Sequence, residues 1–336
     1  MSNFNQGIDQ KKIARLELLA EVASMYYEQQ LTQAEIADQL FISRSRISRL
    51  IAAAHKEGII SIKVHHFGER AYEIEELLKR CYHLKEAIVV NNLDKSTLEI
   101  LNQMATFGAR YIDSQIDNIK IIGVSWGRSL SATIDALKGS SSGGREIVQI
   151  IGGTLNQSSG VDIARITQKL IAKYNATGIY MNAPLFVDNP KVAEELRQQS
   201  CIRTALEKAR SADLILTGVG AVKEEAIPYL WAGYEQQHEY RDLLKCGAEG
   251  FICAQFYDID GREVCSEVND RVIGIRLKEL REVKQVIAIE GGAQKSAAVL
   301  GGLRGGYFNV LITDQSCIDG ILAIAPRFLQ NRKKRH

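Results

Sequence analysis

The chain has 336 residues, 46% of them hydrophobic, and 42 Lys/Arg against 40 Asp/Glu give a net charge of +2. That length has room for at least two domains and a sizeable core, and the near-neutral balance excludes nucleic-acid binding through overall charge alone. No apolar run approaches the ~20 residues of a membrane span, residues 1–30 lack the apolar stretch of a secretory leader, and the six cysteines include no CxxC pair. Free thiols in a reducing cytoplasm are therefore expected, with no metal, no cofactor and no membrane contact.

Taken in order, Ile13, Leu16, Leu19, Ala20, Ala23 and Tyr27 recur at helical spacing within Asp9 to Gln30, which predicts a supporting helix. The stretch from Leu31 to Val64 is the most informative in the chain. Ile36, Ala37 and Leu40 fall on one face of a short helix, and Ile47, Leu50, Ile51 and Ala54 on one face of a second. Phe41 and Ile42 leave room for only a tight turn, and Ser43 is placed to cap the second helix through its side chain. This is the helix-turn-helix pattern. Ser43, Arg44, Ser45, Arg46, Ser48 and Arg49 crowd the polar face of the second helix, with Gln33 at the start of the first; arginine reads guanine edges or neutralises phosphates, and serine reaches either. Between residues 41 and 66 five Lys/Arg face one acid, Glu57, so basic character is local to this reading head. Gly58 ends the helix, and Ile59 to Val64 alternates like the strand of a wing. His65-His66-Phe67-Gly68 then breaks the pattern. Residues 67–85 are expected to form a linker helix on Ile74, Leu77, Leu78 and Cys81.

Beyond residue 85 apolar runs of strand length alternate with helical stretches, the signature of an open α/β sheet. Strands are expected at 87–90, 119–124, 147–151, 178–181, 214–218, 251–256, 286–289 and 309–313. Helices are expected at 97–113, 129–137, 163–174, 295–303 and 317–324. The SSSGG run at 140–144 reads as a loop. The basic run Arg332 to Arg335 reads as a solvated terminus.

Ligands of such sheets bind beyond the carboxyl ends of the strands. Four turns there are rich in glycine: Ser125-Trp126-Gly127-Arg128-Ser129, Gly152-Gly153, Gly218-Val219-Gly220, and Glu290-Gly291-Gly292 leading to Lys295. Glycine lets backbone amides approach an anion, helix starts add a favourable dipole, and Arg128 and Lys295 supply cations. A phosphorylated ligand fits these turns. The third glycine and the placed acid of a dinucleotide fingerprint are missing.

The segments ADQLFISRSRISRLI, GVSWGRSL, VQIIGGT, DLILTGVG, FYDIDGR and VIAIEGGAQKSAAVLGGLRGGYFNVLITD, in this order, resemble the SorC family of bacterial transcriptional regulators. The resemblance implies an N-terminal winged helix-turn-helix domain over 1–66. It also implies an effector-binding and oligomerisation domain over 86–330, with the Rossmann-like fold of sugar-phosphate isomerases and deaminases. The expected partners are double-stranded operator DNA, a phosphorylated sugar or polyol, and further copies of the chain, as a homotetramer. Position by position it implies effector contacts at Ser125 to Ser129, Gly291, Gly292 and Lys295, with Gly152, Gly153, Gly218 and Gly220 lining the same cleft. Asp258 would stand near the sugar end, and Arg165 would be a further lining residue. Relatives carry glycine or asparagine where this chain has Phe41, and some carry Gly-Thr-Thr in the first phosphate turn. An active sugar-phosphate isomerase fused to a DNA-binding module is the alternative. The histidines at 55, 65, 66, 83, 238 and 336 all lie outside the glycine turns, which argues against proton-transfer chemistry there.

Overall fold

The structure is a computed structural model that describes residues 3–60, 70–92, 95–140, 143–154, 162–222 and 237–325, with backbone only at 3–11 and 237–239. It divides into two compact units, Met1–His65 and His66–His336. The expected wing residues 61–64, the histidine pair at 65–66, part of the loop at 140–144 and the basic terminus lie outside the described residues.

The first unit is built on α1 (Asn3–Tyr27), α2 (Gln33–Gln39) and α3 (Arg44–Lys56). Its core joins Val22 and Met25 to Ile36, Ala37, Ile47 and Ile51, with Leu19, Ala23 and Ala54 alongside. The buried side of α1 thus differs from the expected stripe: Ile13 is 54% exposed and Ala20 lies in solvent, whereas Val22 and Met25 are buried. A helix packed against two others buries a broad sector rather than one straight row. Thr32 caps α2 in a box that the sequence pattern Thr-x-x-Glu already contains: Glu35 N donates to Thr32 Oγ1 at 3.3 Å and Thr32 N to Glu35 Oε2 at 2.8 Å.

In the second unit seven strands form one all-parallel sheet: β1 (Glu86–Val90), β2 (Ile121–Val124), β3 (Glu146–Gln149), β4 (Thr177–Ile179), β5 (Leu214–Thr217), β9 (Val286–Ile289) and β10 (Val310–Asp314). Their spatial order is β1-β10-β9-β5-β2-β3-β4. The near-continuous Val/Ile runs are buried along both faces, as parallel strands covered by helices require. α5 (Thr97–Asp113) and α7 (Ile163–Tyr174) occupy the ranges their periodicity predicts, and α6 is Arg128–Ala136.

Two parts of the expected architecture differ. The run 251–256 is no strand of the main sheet. It is the bend of a hairpin joining β7 (Ala248–Ile252) to β8 (Gln255–Asp258), which forms a separate antiparallel sheet with β6 (Gly220–Ala221). Cys253 and Ala254 make the turn with φ of 52° and 61°, a conformation normally announced by glycine or asparagine. The helix expected within 67–85 forms as α4 (Tyr72–Tyr82), but it is anchored rather than a free linker. Leu78 enters the sheet-domain core, and Glu75, buried and paired with Arg70 at 2.8 Å, accepts a bond from Val89 N of β1. Two further helices, α8 (Pro190–Gln198) and α9 (Ser200–Arg210), bury Ala193, Ile202, Ala205 and Leu206 in a satellite core.

Candidate DNA-reading face and effector cleft

On α3 the apolar positions Ile47, Ile51 and Ala54 point inward, which leaves Arg44, Ser45, Arg46, Ser48 and Arg49 exposed. Ser43 occupies the N-cap position with extended backbone, yet its hydroxyl caps no amide; it lies 3.1 Å from Ser45 Oγ. The expected side-chain cap is therefore absent, and the first amides of α3 remain open to solvent or a phosphate. Phe41 adopts φ 54°, the left-handed turn conformation, and is 94% exposed. Gln33, the first residue of α2, is half-buried.

In the sheet domain the turns after β2, β5 and β9 meet. A β-carbon placed on Gly218 would sit 3.1 Å from Trp126 O, 3.5 Å from Glu290 Oε2 and 3.7 Å from Gly127 Cα. Ser129 Oγ, at the start of α6, donates to Glu290 Oε1 at 3.3 Å. Gly127 (φ 147°) and Gly292 (φ 97°) hold conformations that side chains rarely adopt. The opening amides of α6 have no partner within their own helix, as at any helix start, and Arg128 is exposed beside them. Lys295 is 6% exposed, so it is a buried cation of the turn rather than a lysine in solvent. Ser125 lies beneath, its hydroxyl donating to Thr217 Oγ1 at 2.9 Å.

Several expected site residues have other partners. Gly152 N donates to Ile273 O and Gly153 N to Ala183 O, both at 2.9 Å, so neither amide is available to an anion. Gly220 lets Phe251 pack against the backbone, since a β-carbon there would overlap its ring. The Asp258 carboxylate accepts from Asp260 N and Arg262 N at 2.9 and 2.8 Å, and its backbone lies against Gly301, more than a helical turn beyond Lys295. It shapes its own turn. Arg165 is exposed on the first turn of α7.

Asp314, at the end of β10, is the residue that motif reading missed. It is 2% exposed. Its Oδ2 accepts from Gly292 N at 2.5 Å, and its Oδ1 accepts from Cys317 N, Ser316 Oγ and Asn92 Nδ2 at 3.0, 2.6 and 3.3 Å. One carboxylate thus ties the glycine turn to the cap of the helix Gln315–Ile324 and to the turn after β1. The available signal was a strand-end Asp immediately before a helix.

Residues 68–323 match the family described as "Putative sugar-binding domain", and residues 19–57 match "Sigma-70, region 4". The deoxyribonucleoside regulator of Bacillus subtilis is 32% identical over 89% of this chain and 95% of its own length. This chain belongs to the SorC family of transcriptional regulators. The sorbitol operon regulator of Klebsiella pneumoniae is 31% identical over 91% of this chain and 98% of its own length. The crystal structure of that full-length SorC protein superposes with a TM-score of 0.70 at 30% identity, over 91% of this chain and 99% of that one. As a SorC-family regulator, the chain joins a helix-turn-helix unit to a sugar-binding domain.

Proposed function

We propose that this regulator reads operator DNA with the exposed Arg/Ser face of α3 and responds to a phosphorylated sugar or polyol at the meeting of the β2, β5 and β9 turns. The observation that carries the effector reading is the buried Lys295 beside Gly291-Gly292, joined through Glu290 to the start of α6. Cation, glycine turn and helix start together suit a phosphate monoester, while Glu290 suits sugar hydroxyls. The effector is a carbohydrate or polyol metabolite of the operon under control, and the chain works in the cytoplasm as a homo-oligomer, a tetramer on the family resemblance.

Asp314 supplies the response. It holds the Gly292 amide that an incoming phosphate needs, and the same carboxylate caps Gln315–Ile324. A phosphate that takes this amide releases Asp314, so occupied and empty cleft differ at the helix cap and at Asn92. A preference of ~1–3 kcal/mol for one arrangement is enough to engage or release an operator. We read the cleft as binding without turnover: both Asp314 oxygens are committed to donors, and every histidine of the chain lies outside the glycine turns in sequence.

A thermal-shift screen of the full chain against phosphorylated and unphosphorylated pentoses, hexoses and polyols tests the reading. A saturable rise with a phosphorylated compound and none with its unphosphorylated parent is expected. Equal shifts with both would remove the phosphate from the account.

A further inference from the structure

A polar cavity of about 730 Å3 lies between α8, α9 and the segment 263–279, and shares no residue with the proposed effector cleft. Its volume falls within the ~300–1,000 Å3 typical of small-molecule sites. Most of its cations have carboxylate partners: Arg210 pairs with Glu279 at 2.7 Å, Arg203 stands 3.8 Å from Glu207 and Arg276 3.9 Å from Asp270.

Arg197 is different. It is 8% exposed, and its one hydrogen bond among the described residues runs from Nη2 to Val272 O at 2.7 Å. Its Nε has no acceptor, and no carboxylate among the described residues stands within ion-pair distance. Burial, and after it the charge of Arg276, lowers its pKa to about 10, partly opposed through space by Glu279 and Glu194, which line the same cavity. A buried guanidinium with an unsatisfied N–H and no carboxylate in direct contact gains from an anion that reaches it.

We propose that this cavity is a second ligand site, which binds a small oxyanion, a phosphate or carboxylate, against Arg197. Arg203 and the exposed Lys278 flank the anion's path in. The site gives the regulator a second chemical input, independent of Lys295.

The test uses the full chain carrying Lys295→Ala, which disables the effector cleft, and titrates inorganic phosphate or citrate by calorimetry at constant ionic strength. Saturable binding of one anion per chain is expected, with phosphate and citrate telling the two oxyanion classes apart. Adding Arg197→Met should weaken it about tenfold or more, the effect of losing a charged hydrogen-bonding partner. Without anion the Arg197→Met protein should melt no lower than its parent, because a buried charge with no directly paired carboxylate has gone. If that variant does not fold, the surface change Lys278→Glu replaces it, with the same loss of affinity expected. Absence of saturable binding overturns the proposal, as does unchanged affinity in the variants. A change of subunit stoichiometry on Arg197→Met without anion binding also overturns it, since the counter-charge then comes from a second copy.

Discussion

Two Gly-Gly turns follow parallel strands of the same sheet, and they are used differently. At Gly152-Gly153 both amides donate to backbone carbonyls, and a β-carbon on Gly152 would overlap the Pro184 carbonyl. At Gly291-Gly292 the close neighbour is a side chain: the Asp314 carboxylate lies where a β-carbon on Gly291 would go and accepts from Gly292 N. A backbone partner is permanent, whereas a carboxylate can give way to a phosphate. What opposes a glycine turn, rather than the turn itself, decides whether it can bind.

The largest expected effect breaks this comparison on its structural side. Gly152→Ala pushes a methyl into fixed backbone and should cost about 3 kcal/mol or more in thermal unfolding of the sheet domain; a variant as stable as its parent would show that this turn is not closed. On the other side, Lys295→Ala should lower affinity for the phosphorylated effector by ~2–3 kcal/mol, measured by calorimetry, while affinity for operator without effector stays as it was. A β-carbon on Gly292 would first meet the flexible end of the Gln294 side chain, but the residue must hold φ 97°. Gly292→Ala should cost ~1–3 kcal/mol of stability and weaken the effector, where Gly152→Ala weakens the fold alone.

The reading head follows the same logic, as a surface left free by its core. Arg46→Ala or Arg49→Ala should reduce operator affinity by ~1–3 kcal/mol in fluorescence anisotropy. Unchanged affinity and sequence preference would remove α3 from the interface. The smallest effect is at Phe41, exposed and left-handed: Phe41→Gly should stabilise the helix-turn-helix unit by ~0.5–1 kcal/mol in denaturant unfolding, and a loss of stability would mean that the ring has a contact of its own.

What was legible in the sequence follows the range of the interactions. The two helices of the helix-turn-helix, α5 and α7 could be read because apolar period is local, whereas the side-chain cap expected of Ser43 does not form. The hairpin at 248–258 could not, because Cys253-Ala254 carries none of the usual turn residues. α8 was not anticipated either, although Asn189-Pro190 carries a local signal for it, an N-cap with proline in the first turn. In the cleft, glycine content marked four turns, but only packing separates Gly218 and Gly291-Gly292 from Gly152-Gly153 and Gly220. Asp314 escaped notice since its four partners come from 92, 292, 316 and 317, brought together by folding. Arg197 gave no sign, because an arginine on an amphipathic helix ordinarily lies in solvent.

A DNA-binding switch worked from the Lys295 cleft is tested most directly by one anisotropy experiment. An operator duplex selected on the full chain is titrated with the parent protein and with Lys295→Ala, each with and without the phosphorylated compound found in the thermal screen. The compound should change operator affinity about fivefold or more in the parent and leave the variant unaffected, both binding equally without it. An equal response in the two proteins would contradict this switch.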